Sequence, residues 1–213
     1  MINYYRIREC SLSLLKNEIL NKFHVKTLLG HTLSSRNQVL YTDGKCIAIQ
    51  VPPFIYLTGK VSANDIIKIL EQFKSFYIFI EKNVYIDNMT LKKNDILIQN
   101  RFHFTKFDFN IRNLNLLKNN TPSSHILKKL NCTLFNQIKE DARFKNHFSL
   151  SNNFEEFIKT GVCYVTTFED KISSIASSFC NYRNSIEIQV NTSHKFQKIG
   201  AASSVCAALL IEA

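Results

Sequence analysis

The sequence predicts a mixed α+β fold divided between two domains, residues 1–120 and 121–213. Residues 185–192 alternate apolar and polar side chains with period two, which is typical of a β-strand with one buried face. Residues 199–213 are rich in alanine and leucine, which is typical of an α-helix. Between the two halves, residues 113–124 end in Asn-Asn-Thr-Pro-Ser-Ser, which is a linker composition.

The first domain is predicted to be an α+β unit with its own sheet. In residues 38–51 two apolar runs flank Asp43-Gly44, a pair that suits the type I′ turn of a hairpin. Ser62 and Asp65 form a capping-box pattern, which predicts the start of a helix. Helices are predicted at residues 11–23 and 62–73, and further strands at residues 54–57, 75–80, 96–98 and 102–109.

The second domain alternates strands and helices. Asn152 with Glu155 predicts the N-cap of a short helix, and Gly161 is predicted at its C′ position. Glu169-Asp170 is predicted to turn the chain between two strands. Strands are predicted at residues 125–130, 162–168, 171–181 and 185–192, and helices at residues 133–138, 153–160 and 199–213.

Composition argues against several classes of protein. No apolar run approaches the ~20 residues that a membrane span requires, and the first residues lack the apolar core of a signal peptide. The six cysteines are widely spaced without a Cys-x-x-Cys pair, and the histidines do not cluster with them, which argues against a zinc site and a disulfide framework. We therefore expect a cytoplasmic protein with no metal and no membrane partner.

The formal net charge of +10 has two interpretations. A basic surface attracts nucleic acid or another polyanion. Alternatively, the abundance of lysine, asparagine, isoleucine and phenylalanine reflects an AT-rich coding bias without function. The lysines are dispersed and form no run of five, so the sequence favours the second interpretation and makes nucleic acid an unlikely partner.

The strand, loop and helix of residues 185–213 form a pattern that can bind a phosphate. The first-turn amides of a helix point at an anion there, and the helix dipole favours negative charge. Gly200, Ala201 and Ala202 are small, so the oxygens of a phosphate can approach the backbone closely.

These residues also carry a family resemblance. Gln197-Lys198-Ile199-Gly200-Ala201-Ala202 resembles the Arg/Gln-x-x-Gly-x-Gly/Ala signature with which the GNAT superfamily of N-acetyltransferases holds the pyrophosphate of acetyl-coenzyme A. Residues 161–179 are similar to the two central strands that precede this signature. The resemblance covers roughly residues 125–213, and the layout of the whole chain resembles a bacterial branch with an extra N-terminal α+β domain.

The resemblance implies acetyl transfer from acetyl-coenzyme A to an amine, which is a small molecule or a peptide. It implies that main-chain groups of Val190, Asn191 and Thr192 hold the pantetheine arm and the thioester, and that Gln197, Lys198, Ile199, Gly200, Ala201 and Ala202 hold the pyrophosphate. Related enzymes often keep a general base on the strand at 185–192, which makes Glu187 the candidate. The alternative for Glu187 is a solvated carboxylate on an open sheet face.

The sequence departs from the family pattern in three places. Gln197 replaces the usual arginine, and Ala202 replaces the final glycine. A complete core of this kind continues with a fifth strand, whereas this chain ends at Ile211-Glu212-Ala213, so we expect an incomplete cofactor slot. An incomplete slot leaves two further hypotheses: a homodimer formed through the exposed sheet edge, and a non-catalytic scaffold of the same fold.

Overall fold

The computed structural model describes residues 5–6, 39–42, 46–51, 54–73, 77–80, 109–182 and 185–213. The chain divides into two compact units, Met1–Thr105 and Lys106–Ala213. Each unit has its own sheet, as an α+β fold requires.

The described part of the first unit is a five-stranded sheet with the order β1-β2-β3-β4-β5. Its neighbouring strands are antiparallel except β4 and β5, which are parallel, and helix α1 provides the crossover between them. The elements are β1 (Tyr5–Arg6), β2 (Val39–Thr42), β3 (Cys46–Val51), β4 (Phe54–Gly59), α1 (Ala63–Phe73) and β5 (Tyr77–Ile80).

Local signals in the first unit are confirmed where the structure describes them. The predicted hairpin is the antiparallel pair of β2 and β3. The predicted capping box is present, because the Asp65 amide donates to Ser62 Oγ at 3.2 Å and the Ser62 amide donates to Asp65 Oδ2 at 2.9 Å. The Asp43-Gly44 turn, the helix at 11–23 and the strand at 96–98 lie outside the described residues, as does all but the last residue of the strand at 102–109.

The second unit is built on a four-stranded antiparallel sheet with the order β6-β7-β8-β9. Glu169 and Asp170 both have positive φ, 47° and 58°, as the tight turn between β7 and β8 requires. The elements are α2 (Ile111–Asn119), β6 (Ile126–Lys129), α3 (Cys132–Glu140), a 3₁₀ turn (Lys145–Phe148), α4 (Phe154–Ile158), β7 (Cys163–Phe168), β8 (Lys171–Tyr182), β9 (Ser185–Thr192), a 3₁₀ turn (His194–Phe196) and α5 (Ala201–Glu212).

Helices cover both faces of this sheet. On one face, apolar side chains of α3, the first 3₁₀ turn and α4 pack against Cys163, Val165 and Ile175 of the sheet. On the other face, Val205 and Leu209 of α5 pack against Ala176. The second unit therefore has two layers of helix around one sheet, and α5 lies behind β7, β8 and β9.

Helix α2 corrects the predicted linker. Residues 111–119 are helical, so the assignment of residues 113–119 to a linker is wrong. Asn110 caps this helix by accepting from the Asn113 amide at 3.2 Å, and its Leu114 is buried. Because α2 packs on α5, it belongs to the second unit, Lys106–Ala213.

The cap predicted for α4 is wrong by one position. Asn153, and not Asn152, accepts from the main chain of the first turn, at 2.8 Å from the Glu156 amide. Glu156, and not Glu155, reaches back to the Asn152 amide at 2.8 Å. The residue types of the prediction were right, but two neighbouring asparagines and two neighbouring glutamates allowed two registers.

Gly161 follows α4 for a reason other than the one predicted. A C′ glycine normally takes a positive φ, whereas the positive-φ glycines of the described residues are Gly59 and Gly200. A Cβ at Gly161 would lie 2.6 Å from Phe157 O and 2.7 Å from the Phe157 ring. Close packing against α4 therefore requires the glycine.

Candidate functional site

Strand β9 lies at the edge of the four-stranded sheet. The Ser193 amide donates to Ser173 O at 2.8 Å, so the main-chain groups of Ser193 point toward β8. The backbone N–H and C=O groups of successive residues alternate sides along a strand. Those of Asn191 therefore also point toward β8, and those of Val190 and Thr192 point away from the sheet. No strand of the described part of the chain pairs with that side of β9, so this edge offers main-chain donors and acceptors to a ligand.

The side chains of β9 divide between two environments. Ile186 and Ile188 pack behind the sheet against the cluster that contains α5. Val190 lies on the same face but is 39% exposed near the end of the strand. Glu187 and Asn191 lie on the opposite face, toward α3 and α4, with Glu187 partly buried and Asn191 exposed. Glu187 and Asn191 are four positions apart, which is about 13 Å along the strand.

The loop that joins β9 to α5 is exposed at residues 197–200. Lys198 and Gly200 have positive φ, 65° and 93°, and Gly200 is the N-cap of α5. Since glycine has no side chain, the amides of the first turn, from Ala201 onward, receive no side-chain acceptor from the cap. Among the described residues, a Cβ at Gly200 would meet only Asn120 O, 3.9 Å away, so packing leaves room at this position.

Three aromatic rings hold the start of this loop. Phe196 lies edge-on to the His125 ring at 5.2 Å between centroids, and 5.4 Å from the Phe168 ring. His125 and Phe168 are themselves 5.2 Å apart. These rings come from the start of β6 and the end of β7, so the loop is fixed to the body of the sheet.

Helix α2 holds the first turn of α5 from the other side. The Ser204 hydroxyl donates to Lys118 O at 3.1 Å, and the Thr121 hydroxyl donates to the same carbonyl at 2.9 Å. Ser204 is fully buried. The helix N-terminus is thus anchored by α2, and its cap residue makes no side-chain hydrogen bond.

His147 was not singled out from the sequence, yet it lies against the predicted site. Its Nε2 lies 3.1 Å from Asn191 Oδ1, and its Nδ1 lies 2.7 Å from Ser177 Oγ. Burial lowers the pKa of His147 from 6.5 to about 4, and the hydrogen bond to Asn191 only partly opposes this shift. His147 is therefore a neutral imidazole at the pH of the cell.

Arg143, four residues earlier, reaches the residue after β9. Its Nη1 donates to Ser193 Oγ at 3.0 Å, and the guanidinium lies over the Phe144 ring at 4.9 Å. The hydrogen bonds from Arg143 hold the pKa of Asp141 below its usual range. The connection between α3 and α4 is thus tied to the end of β9 by two side chains.

The other end of α5 is closed by its own neighbours. Glu212 accepts from the Tyr164 hydroxyl at 2.6 Å and from Lys129 Nζ at 2.5 Å. Burial and the carboxylate of Glu212 together raise the pKa of Tyr164 to about 12. A pocket of about 280 Å³ lies beside them, lined by Lys129, Leu130, Phe154, Phe157, Ile158, Gly161, Cys163 and Glu212.

Several other features limit the chemistry of the described residues. No group of three or more His, Cys, Asp or Glu side chains within these residues is placed to hold a metal ion. Cys132, Cys163, Cys180 and Cys206 are free thiols, and burial raises the pKa of Cys206 to about 11. Within the described ranges, no helix is long and apolar enough to cross a membrane.

The predicted site residues therefore fall into one region of the second unit. The edge of β9 supplies Val190 and Thr192, and the loop with the helix start supplies residues 197–202. Such a region can take an elongated ligand that is anionic at one end and polar along its length. Glu187 lies farther along the same strand.

Comparison with known proteins identifies the family of the chain. The family model described as GNAT acetyltransferase matches residues 17–213. No curated protein matches the chain. The model thus spans both units.

Two solved structures are similar to the chain. A GCN5-related N-acetyltransferase-like protein from Streptococcus suis superposes with a TM-score of 0.75 at 17% identity, over 96% of this chain and 85% of that one. A GCN5-related N-acetyltransferase from Kribbella flavida gives a TM-score of 0.46 at 12% identity, over 92% of this chain and 80% of that one. The first comparison shows a shared fold, with mixed α+β architecture across both units.

Proposed function

This chain belongs to the GNAT acetyltransferase family, which makes it a GNAT-type N-acetyltransferase, and we propose that it moves an acetyl group from acetyl-coenzyme A to an amine by direct attack. The thioester is already activated, so no covalent enzyme intermediate is needed. The amine nitrogen attacks the thioester carbonyl, the carbon–sulfur bond breaks, and coenzyme A leaves as the thiol. The enzyme must hold both substrates, stabilise the developing oxyanion and accept a proton.

The start of α5 carries this proposal. Its first-turn amides have no side-chain cap, Gly200 clears the approach, and the surrounding loop is exposed. We assign the pyrophosphate of acetyl-coenzyme A to the amides of residues 198–202, where the positive end of the helix dipole favours two phosphates. Gln197 and the Lys198 side chain flank the site, and backbone amides supply most of the binding.

The edge of β9 supports the position of the pantetheine arm. The arm carries two amide groups, which need a donor and an acceptor each. The outward main-chain groups of Val190 and Thr192 match this need, and Asn191 lies between them on the opposite face of the strand. We therefore assign the arm to residues 190–192, with the thioester lying toward Glu187.

Glu187 is the proposed general base. It lies on the polar face of β9, on the side away from α5, and it is partly buried. A carboxylate in that position would take a proton from the ammonium form of the acceptor, directly or through one water molecule, and so free the nitrogen lone pair for attack on the thioester carbonyl. The acceptor is a small-molecule or peptide amine.

The first test is thermal denaturation of the chain with and without about 1 mM acetyl-coenzyme A. With a dissociation constant of about 10 μM, the ligand would stabilise the fold by roughly 2.7 kcal/mol. For a protein of this size we expect a rise in melting temperature of roughly 5–10 °C. A cooperative transition that does not move with the coenzyme would contradict the proposal and favour the non-catalytic scaffold.

The positive charge supplies the competing hypothesis, a nucleic-acid-binding module. Its signature would be a steep loss of oligonucleotide binding with added salt that is unaffected by changes at Gly200. Coenzyme binding should saturate at one ligand per chain and depend on Gly200. The two functions are therefore separated by a single variant measured with two ligands.

The open edge of β9 also supports a proposal on assembly. A second copy could add its own edge strand there and form a continuous sheet. Such a homodimer would compete with the pantetheine arm for the same main-chain groups. We expect analytical ultracentrifugation to show any dimer dissociating when acetyl-coenzyme A is added, and a dimer insensitive to the coenzyme would place the interface elsewhere.

A further inference from the structure

The connection between α3 and α4 places one buried side chain against the end of β9. His147 is 1% exposed, and its two ring nitrogens contact two different strands. Nδ1 faces Ser177 Oγ on β8, and Nε2 faces Asn191 Oδ1 on β9. The ring thus spans from the interior of the sheet to its edge.

The partners of the ring fix its tautomer. Asn191 Oδ1 is a carbonyl oxygen and can only accept, so Nε2 must carry the proton. Nδ1 is then the acceptor, and the Ser177 hydroxyl donates to it. A single directed chain of hydrogen bonds therefore runs from Ser177 through His147 to Asn191.

The hydrogen-bonded Ser177 and His147 resemble a serine nucleophile with its histidine base, but they cannot act as such a pair. Ser177 is fully buried, so no substrate reaches its oxygen. The Nε2 proton is already committed to Asn191, and burial keeps the imidazole neutral. A catalytic role through a covalent serine or a histidine base is excluded by access and by the tautomer.

The consequence of this series of hydrogen bonds lies at Asn191, its exposed end. The carboxamide of Asn191 accepts through Oδ1, so its NH₂ group is turned away from His147 and lies on the exposed side of the residue. The main-chain groups of Asn191 point toward β8, and its carbonyl accepts from Ser174 Oγ at 3.2 Å. The side chain is thus the part of Asn191 that can donate to a ligand lying along β9.

We infer that His147 is a positioning residue, which orients the Asn191 carboxamide so that its NH₂ group donates to a carbonyl oxygen of the acyl-pantetheine arm. This inference rests on the proposed function, and it adds a side-chain contact to the main-chain contacts of that proposal. Arg143 supports the same connection through Ser193, two residues beyond Asn191. The polar end of β9 is therefore held from two positions on one connection.

Two substitutions at His147 separate the two hydrogen bonds. The amide of a glutamine reaches as far as Nε2, so His147→Gln keeps a donor for Asn191. The amide of an asparagine reaches only as far as Nδ1, so His147→Asn keeps a partner for Ser177 and loses the donor. Ser177→Ala is the matched control, because it removes a buried hydrogen bond and leaves the one to Asn191 in place.

The test measures the affinity of two ligands by calorimetry for the full chain and these variants. Acetyl-coenzyme A has the arm, and adenosine 3′-phosphate 5′-diphosphate has the phosphates without it. We expect His147→Asn to weaken acetyl-coenzyme A by about fivefold to tenfold and to leave the nucleotide within about twofold. His147→Gln and Ser177→Ala should bind both ligands within about twofold of the wild type.

The outcomes distinguish the inference from the proposal beneath it. Equal weakening of both ligands by His147→Asn, or no change in either, overturns the positioning role while the proposed function stands. A wild-type chain that binds neither ligand overturns both. Should His147→Asn fail to fold, Asn191→Ala at the exposed end of the chain of bonds must give the same selective loss for acetyl-coenzyme A. Full retention of affinity in Asn191→Ala overturns the inference.

Discussion

Helix α5 ends in two different ways. Its N-terminus begins at Gly200 with no side-chain cap, in an exposed loop. Its C-terminus ends at Glu212, whose carboxylate is held by Tyr164 and Lys129. The main-chain amides of the first end receive no side-chain cap, whereas the side-chain carboxylate at the second end has two partners within the chain.

The difference separates binding from stability within one helix. A polar group left without a protein partner at a fixed position is available to a ligand, and it contributes little to the fold on its own. A polar group with two protein partners contributes to the fold and is unavailable. The open end of α5 is therefore where substitutions should change affinity, and the closed end is where they should change stability.

The largest effect is expected at the open end. Gly200→Glu places a carboxylate where the pyrophosphate is proposed to lie, so affinity for acetyl-coenzyme A should fall by a hundredfold or more, about 3 kcal/mol. Isothermal calorimetry measures this change. Gly200→Ala is the control, because a methyl group has room and costs about 1 kcal/mol through the positive φ. Unchanged affinity in Gly200→Glu would remove the start of α5 from the site.

The stability of the fold should depend on pH through His147, which contacts the end of β9. The pKa of His147 is lowered to about 4 in the fold and is 6.5 when unfolded, so the unfolded state binds more protons between these values. The free energy of unfolding should therefore fall by about 2–3 kcal/mol as pH drops from 7 to 4. His147→Gln has no titrating group at this position, and urea denaturation of both proteins at each pH isolates the difference. If the free energy of unfolding changes with pH equally in the two proteins, His147 does not titrate as its burial requires.

Gly161 lines the pocket beside Glu212, at the closed end of α5, and it matters for packing. Gly161→Ala brings a Cβ to 2.6 Å from Phe157 O, a main-chain atom that cannot turn aside. We expect a loss of about 2 kcal/mol in the free energy of unfolding, with affinity for acetyl-coenzyme A unchanged. Chemical denaturation measures the stability and calorimetry measures the affinity, both on the same sample. A variant as stable as the wild type would mean that α4 shifts without cost.

The smallest effect is expected at the ion pair of the closed end. Burial alone would raise the pKa of Glu212, but the hydrogen bonds from Lys129 and Tyr164 outweigh it and lower the pKa below 4.5. A lowered carboxyl pKa adds stability above pH 4.5, and this stability is lost as pH falls through the lowered value. Glu212→Gln should cost less than about 1 kcal/mol at pH 7, because the pair is close to solvent. The difference from the wild type should shrink in denaturation curves recorded below pH 4.5.

The sequence predicted the elements whose signals are local. The alternation in residues 185–192 and the Glu169-Asp170 turn placed β7, β8 and β9 within a residue or two, because period and turn chemistry act between near neighbours. Helix α2 was missed because asparagines give it the composition of a linker, whereas the helix is stabilised by packing on α5, about ninety residues later, with Leu114 buried.

The candidate site was predictable only in part. Residues 197–202 could be proposed from the sequence because a strand, a small-residue loop and a helix follow each other directly along the chain. His147 was missed because its partner Asn191 is 44 residues away and no spacing in the sequence relates the two. The assignments of Glu187 and of residues 190–192 and 197–202 remain proposals for the experiments above.

The packing of α2 on α5 decides which piece of this protein can be exchanged as a whole. A polypeptide that began at residue 121 would lack Leu114 and the Lys118 carbonyl that receives the Ser204 hydroxyl. The outer side of α5, an apolar helix on nearly every face, would then meet water. A recombination event or a cloning boundary that preserves the second unit must therefore fall before Asn110, the cap of α2, ahead of the segment with a linker composition.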